Sequence, residues 1–95
     1  MTQKDTNDFY DRVDALIQVA NQQCDTEDKG KVSASFLFAA ARFNTWVSAS
    51  GFENATLMKA NREELVQHFV KQYQAMLEDN LDEFIENFDA YLMKK

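Results

Sequence analysis

The sequence of 95 residues contains no proline and only two glycines, Gly30 and Gly51. β-Sandwiches and barrels need many tight turns, and tight turns draw heavily on proline and glycine. A chain this poor in turn-forming residues favours a few long helices instead. We therefore predict an all-α fold for the whole chain.

Cysteine is present only once, as Cys24, so an intrachain disulfide is excluded and a reducing compartment is favoured. The polar residues 1–8 lack the apolar stretch of a signal peptide. The longest apolar run, residues 36–41, is far shorter than the roughly 20 residues that span a bilayer. We expect a cytoplasmic protein that has no membrane partner.

Residues able to support catalysis or metal binding are few. The single histidine, His68, lies four residues after Glu64, whereas a two-metal carboxylate bundle needs two Glu-x-x-His motifs. Residues 25–30 begin like an EF-hand loop, but Phe36 occupies the position of the bidentate glutamate. The acidic residues after Cys24 disfavour a reactive thiolate. We predict no enzyme activity, no cofactor and no metal site.

Basic residues are also scarce, with ten against sixteen acidic residues and a formal net charge of −6. Nucleic-acid surfaces need clustered lysine and arginine, so we expect no nucleic-acid partner. Acidic residues concentrate between Glu78 and Asp89, and Glu78, Asp82 and Glu86 follow one another at helical spacing. These three are candidate residues for docking a basic protein, and the alternative is a solvated helix face.

Apolar residues at helical spacing predict a first helix over residues 7–23, with Asp5 or Thr6 as its cap. Residues 25–31 form the following loop, in which Gly30 supplies conformational freedom. We expect the residues before this helix to be loose.

A second helix is predicted over residues 33–50, with Ser33 as its N-cap and Gly51 at its C-terminal end. Its apolar residues surround the helix almost completely, since Leu37 and Phe38 lie away from the main apolar face. This pattern indicates either the central helix of a bundle or part of a subunit interface.

Polar residues interrupt this second helix at Arg42 and Asn44, close to Trp46. One interpretation is that Arg42 extends to water or pairs with a carboxylate, because an unpaired buried charge is costly. The other is a recognition patch for an anion or peptide, formed by Arg42, Asn44 and Trp46.

The C-terminal part is predicted to contain a short helical turn at residues 53–59 and a helix that Asn61 and Glu64 start as a capping box. An apolar stripe then stays in phase over residues 66–92. One continuous, straight helix of about 31 residues would be roughly 46 Å long and would extend beyond a compact domain. We favour a bend near Asn80, and the alternative is a second subunit that covers the stripe.

The stretch from Gly30 to Ser35, followed by residues 39–47, resembles the central segment of a family of small proteobacterial proteins known only as a domain of unknown function. The Asp8-Phe9-Tyr10 start and the acidic C-terminal helix are similar too. The resemblance implies a bacterial cytoplasmic protein and supplies no activity, substrate or binding residue.

Together these patterns predict one domain over residues 1–95, with loose ends at 1–6 and 94–95. The fold is a three- to four-helix bundle with a central apolar second helix and a long or bent C-terminal helix. The function that this pattern favours is a non-enzymatic helical interaction module that self-associates. The alternatives are an acidic inhibitor or adaptor for a basic partner, and a small-ligand binder that uses the second helix.

Overall fold

The computed structural model describes residues 2–92, and these residues form five helices and no strand. The all-α prediction is therefore confirmed. The helices are α1 (Gln3–Cys24), α2 (Lys29–Ala49), α3 (Ala55–Ala60), α4 (Arg62–Glu86) and α5 (Phe88–Leu92). The chain divides into two compact units, Met1–Gly51 and Phe52–Lys95. The described part thus holds five helices rather than the three or four expected, and residues 94–95, predicted to be loose, lie outside it.

The first helix begins at Gln3, four residues before its predicted start. The Thr2 hydroxyl accepts a hydrogen bond from the Asp5 amide at 3.1 Å, which satisfies a backbone donor that the first turn leaves free. The Lys4 ammonium and the Asp8 carboxylate, one turn apart, then lie 3.1 Å from each other. The predicted cap at Asp5 or Thr6 is wrong because Thr2 provides the same chemistry earlier.

The second helix begins at Lys29, and the predicted cap at Ser33 is wrong. The Asp28 carboxylate accepts a hydrogen bond from the Lys31 amide at 3.2 Å and so caps this helix. Gly30 lies inside the first helical turn and does not adopt a left-handed backbone conformation. The conformational freedom predicted for this glycine is therefore not used.

In the second unit, α3 confirms the predicted short helical turn. The Asn54 side chain caps this helix by accepting a hydrogen bond from the Leu57 amide at 2.9 Å. The capping box predicted at Asn61 and Glu64 is wrong. The Asn61 side chain instead donates to the Leu57 carbonyl at 2.9 Å, so it closes α3 rather than opening α4. Helix α3 packs on α4.

Helix α4 runs without interruption through Asn80 to Glu86, a length of 25 residues or about 37 Å. The bend expected at Asn80 is wrong, because the Asn80 side chain donates to the Met76 carbonyl at 2.7 Å and stays within the helix. The break lies at Asn87, whose φ of −117° and ψ of 30° depart from helical values. Helix α5 follows directly and contacts α4.

Burial is low in both units. Within the first unit, α1 packs against α2, and Val32 is the buried residue of the described chain, with 5% of its surface exposed. On the same side of α2 the exposed fraction is 38% at Phe36 and 61% at Phe43. The central position in a bundle, one of the two alternatives for α2, is not confirmed, because most of its apolar residues are exposed.

Candidate interaction surface

One side of α2 presents six apolar residues within an arc of about 100°, at about 100° per residue. We call this surface the α2 apolar face, and it consists of Val32, Phe36, Ala39, Ala40, Phe43 and Val47. Except for Val32, every member is exposed in the single chain. Phe36 and Phe43 in this state leave apolar surface in water, which favours contact with another molecule.

Trp46 lies at the edge of the α2 apolar face, and its ring contacts Phe43 with centroids 5.8 Å apart. It is 66% exposed, and it is the single tryptophan of the sequence. Leu37 and Phe38, the residues that suggested an all-round apolar helix, are exposed on other sides of α2. Phe38 is nearly opposite the α2 apolar face.

The residues expected to form a polar recognition patch do not share one side of α2. Arg42 and Trp46 are one turn apart, whereas Asn44 is displaced from each by about 160° around the helix. The Arg42 side chain is exposed, and no ion pair to it occurs among residues 2–92. Arg42 therefore reaches water, in line with the simpler of the two interpretations.

Helix α4 has an apolar side and an acidic side. The α4 apolar stripe contains Val66, Val70, Tyr73, Leu77 and Phe84. Successive positions of the stripe are three or four residues apart, and the position between Leu77 and Phe84 is occupied by Asn80. Glu78, Asp82 and Glu86 follow each other at intervals of one turn on the opposite side and form an exposed acidic ridge. Sequence spacing predicted both surfaces.

The acidic ridge has no cationic partner within the described chain, where the ion pairs are Lys4–Asp8 and Lys31–Glu27. Its hydrogen bonding within the helix is limited to Glu78, which accepts from the Gln74 amide at 2.8 Å. The three carboxylates therefore remain free to attract positive charge from solution.

The break at Asn87 brings together side chains that a straight helix would separate. The Phe84 and Tyr91 rings stack with centroids 4.3 Å apart, and the Tyr91 hydroxyl donates to the Glu83 carboxylate at 2.6 Å. This hydrogen bond, together with the negative charge of Glu83, raises the pKa of Tyr91 above 10.0. Sequence reasoning missed this cluster, since only the break makes contacts across seven and eight residues possible.

The remaining candidate groups stand apart. Cys24 is half-buried at the end of α1, and the exposed His68 has its ring against the edge of Phe69 on α4. In the part of the chain that the structure covers, no three histidine, cysteine, aspartate or glutamate side chains come together as metal ligands. Likewise, within residues 2–92, none of the helices combines the length and the hydropathy needed to cross a membrane.

These observations define an all-α protein whose candidate surfaces are exposed helix faces. The chain belongs to the family described as protein of unknown function (DUF3144), whose model matches residues 9–85. The resemblance expected from the sequence is thus confirmed. The chain is also similar to the protein NB7890A from Shewanella sp., solved by NMR, with 40% identity and a TM-score of 0.75 over 92% of this chain and 94% of that chain. Comparison with curated proteins gives no match.

Proposed function

We propose that this protein is a non-enzymatic helical interaction module that associates with itself through exposed apolar helix surfaces. The observation that supports this proposal is the exposure of large apolar side chains on one side of α2, including Phe43, which is 61% exposed, and Trp46 at its edge, which is 66% exposed. Single exposed apolar residues are ordinary on proteins, but a continuous helix face of them indicates an interaction surface.

A second copy of the chain is the partner that suits such a face. It presents the same exposed apolar side chains on α2. A two-fold symmetric contact uses one surface on both partners, so a face that is apolar in one copy meets an apolar face in the other.

Sedimentation equilibrium across a range of protein concentrations tests this proposal. We expect a reversible monomer–dimer equilibrium in the micromolar range, with Trp46 emission shifting to shorter wavelength as the dimer forms. Trp46 reports on the relevant surface without a label, because it is the single tryptophan and lies on α2. An 11.0 kDa species at every concentration, with constant Trp46 emission, would contradict self-association.

A second function is supported by a different observation, the acidic ridge on α4. Its three carboxylates are exposed and have no cation opposite them in the described chain. We infer an adaptor or inhibitor role toward a basic protein, with long-range attraction steering the encounter.

This second function is tested with the tagged protein as bait, beside a matched variant that carries Glu78→Gln, Asp82→Asn and Glu86→Gln. A partner that uses the ridge is captured at low salt, is lost at high salt, and is not captured by the variant. Equal capture by the two baits would contradict a role for the ridge, whatever protein is recovered.

A further inference from the structure

The α2 apolar face has the same residue types in both directions along the helix. On each side of the midpoint between Ala39 and Ala40, the order is alanine, phenylalanine and valine. The phenylalanine is three residues from its alanine, and the valine is four residues beyond the phenylalanine. Toward the N-terminus these residues are Phe36 and Val32, and toward the C-terminus they are Phe43 and Val47. Because α2 is continuous over this region, all of them stay on one side of the helix.

A palindromic face suits pairing with an antiparallel copy of the same helix. In a two-fold symmetric dimer the same surface serves both partners, so a residue that contacts a second residue is contacted by that residue in return. With the two-fold axis between Ala39 and Ala40, Phe36 of each copy lies at the height of Phe43 of the other. Val47 lies at the outer end of the contact, whereas Val32 is already buried within its own chain and takes no part in it.

Side-chain size agrees with this geometry. The two alanines lie where the helix axes come closest, and small residues let helices approach to about 8 Å. Phenylalanines lie one turn further out, where the gap widens and larger side chains fill it. Exposure differs between the two ends of the face, because Val32 is buried whereas Phe43 and Val47 are exposed.

Resting on the self-association proposed above, we infer that the partner at this surface is a second copy of the chain, docked through an antiparallel α2–α2 contact centred on Ala39 and Ala40. Phe38, on the opposite side of α2, stays outside the contact.

Two single substitutions test the chosen face. Phe43→Ser is expected to raise the dissociation constant of the dimer by more than about tenfold, because it removes an aromatic side chain from both copies. Phe38→Ser is the matched control, since it makes the same chemical change at a residue of similar exposure. We expect this control to leave the dissociation constant within about twofold. Circular dichroism checks that both variants remain helical.

Cysteine cross-linking tests the geometry independently of stability, in a Cys24→Ser background that lacks other thiols. Ala40→Cys should form a disulfide-linked dimer under mild oxidation, because this residue lies beside its own copy at the two-fold axis. Ala41→Cys, one residue along and on another side of α2, should remain unlinked. Val47→Cys should also remain unlinked, because antiparallel packing places the two copies of this residue about 22 Å apart along the helices.

The outcomes separate this inference from the proposed function. Linking through Ala40→Cys alone supports it, and linking through Val47→Cys shows parallel packing and overturns it. If sedimentation shows a dimer that Phe43→Ser does not weaken and Ala40→Cys does not cross-link, the α2 contact is overturned while self-association stands. A monomer at all concentrations would overturn both.

Discussion

Thr2, Asp28 and Asn54 each use one side-chain oxygen to fix the residue at which a helix begins. Sequence rules identify this chemistry but not which of several candidates is used, because Asp, Asn, Ser and Thr are all good caps. Asp5, Thr6 and Ser33 are suitable residue types for a cap. The residues that cap these helices instead lie earlier in the chain. A helix extends backwards to the first cap that the connecting loop allows.

The two glycines allow a matched test of this local geometry. Neither has a left-handed backbone, so alanine is permitted at both positions. We expect Gly51→Ala to raise the free energy of unfolding by about 0.5 kcal/mol, because alanine restricts the unfolded chain. A Cβ atom there would lie 3.4 Å from the Ser48 carbonyl oxygen, an ordinary contact.

Gly30→Ala should stabilise less than Gly51→Ala, although Gly30 lies in a helix, where alanine is normally favoured by nearly 1 kcal/mol. Its Cβ would lie 3.0 Å from the Asp28 carboxylate, which must move and weaken the cap of α2. Chemical denaturation at one fixed protomer concentration measures both variants. A larger gain at Gly30 would show that the cap accommodates the methyl group at no cost.

Tyr91 provides a pH-dependent test at the same scale. Its hydrogen bond to Glu83 raises the pKa of the Tyr91 phenol above 10.0, so its contribution to stability is complete below that pH. The contribution is lost as the pH rises through the higher value of the folded state, where the ionised phenol repels the carboxylate. Phenol absorbance titrated in the native protein and in Tyr91→Phe isolates this residue from the other two tyrosines.

The control for this titration is Glu83→Gln, which removes the negative charge and retains a hydrogen-bond acceptor. We expect the Tyr91 midpoint to fall toward 10.0 in this variant. An unchanged midpoint would mean that the negative charge of Glu83 is not a cause of the raised pKa.

Among the elements, the helices with regular apolar spacing were predictable, and their breaks were not. The apolar stripe of α4 predicted a long C-terminal helix, since the periodicity of apolar residues can be read from the sequence alone. Its break was placed at Asn80 and is found at Asn87, although both asparagines donate to the carbonyl four residues earlier. What distinguishes Asn87 is the stacking of Tyr91 on Phe84, a contact that exists only after the chain has bent.

Asn87→Ala should therefore extend α4 into α5. Alanine favours the helix by several tenths of a kcal/mol relative to asparagine, and in a continuous helix residues seven apart are separated by about 10.5 Å along the axis. The expected result is loss of the nuclear Overhauser contacts between the Phe84 and Tyr91 rings, with helical carbon shifts across residue 87. Asn80→Ala is the control and should retain these contacts, because α4 is already continuous there.

For the molecule as a whole, the sequence indicated where apolar residues would lie but not what would cover them. In a helical-wheel projection, apolar residues lie nearly all round α2, and this predicts that other helices pack against it, from the same chain or from another. Whether the cover comes from the same chain depends on tertiary contacts that no local pattern encodes. The structure leaves Phe43 and Trp46 exposed in the single chain, and this exposure favours the subunit interface, the second of the two alternatives predicted for α2.

Ionic strength distinguishes the two proposed functions. Added salt screens the repulsion between two acidic copies of the chain, but it also screens the attraction between the acidic ridge and a basic partner. Two copies of the chain together carry a formal charge of −12, twice the −6 of one copy. Their repulsion is screened as salt is added, while apolar contacts persist. We expect self-association, measured by sedimentation equilibrium, to become severalfold tighter as sodium chloride increases from low to moderate concentration.

The variant with Glu78→Gln, Asp82→Asn and Glu86→Gln reduces the net charge from −6 to −3, since each change removes one negative charge. Its self-association should be tighter at low salt and should depend less on salt than that of the native chain. This effect follows from the change in net charge. If the native dimer instead weakens steeply with salt, complementary charges hold the copies together, and the apolar interface proposed for α2 is wrong.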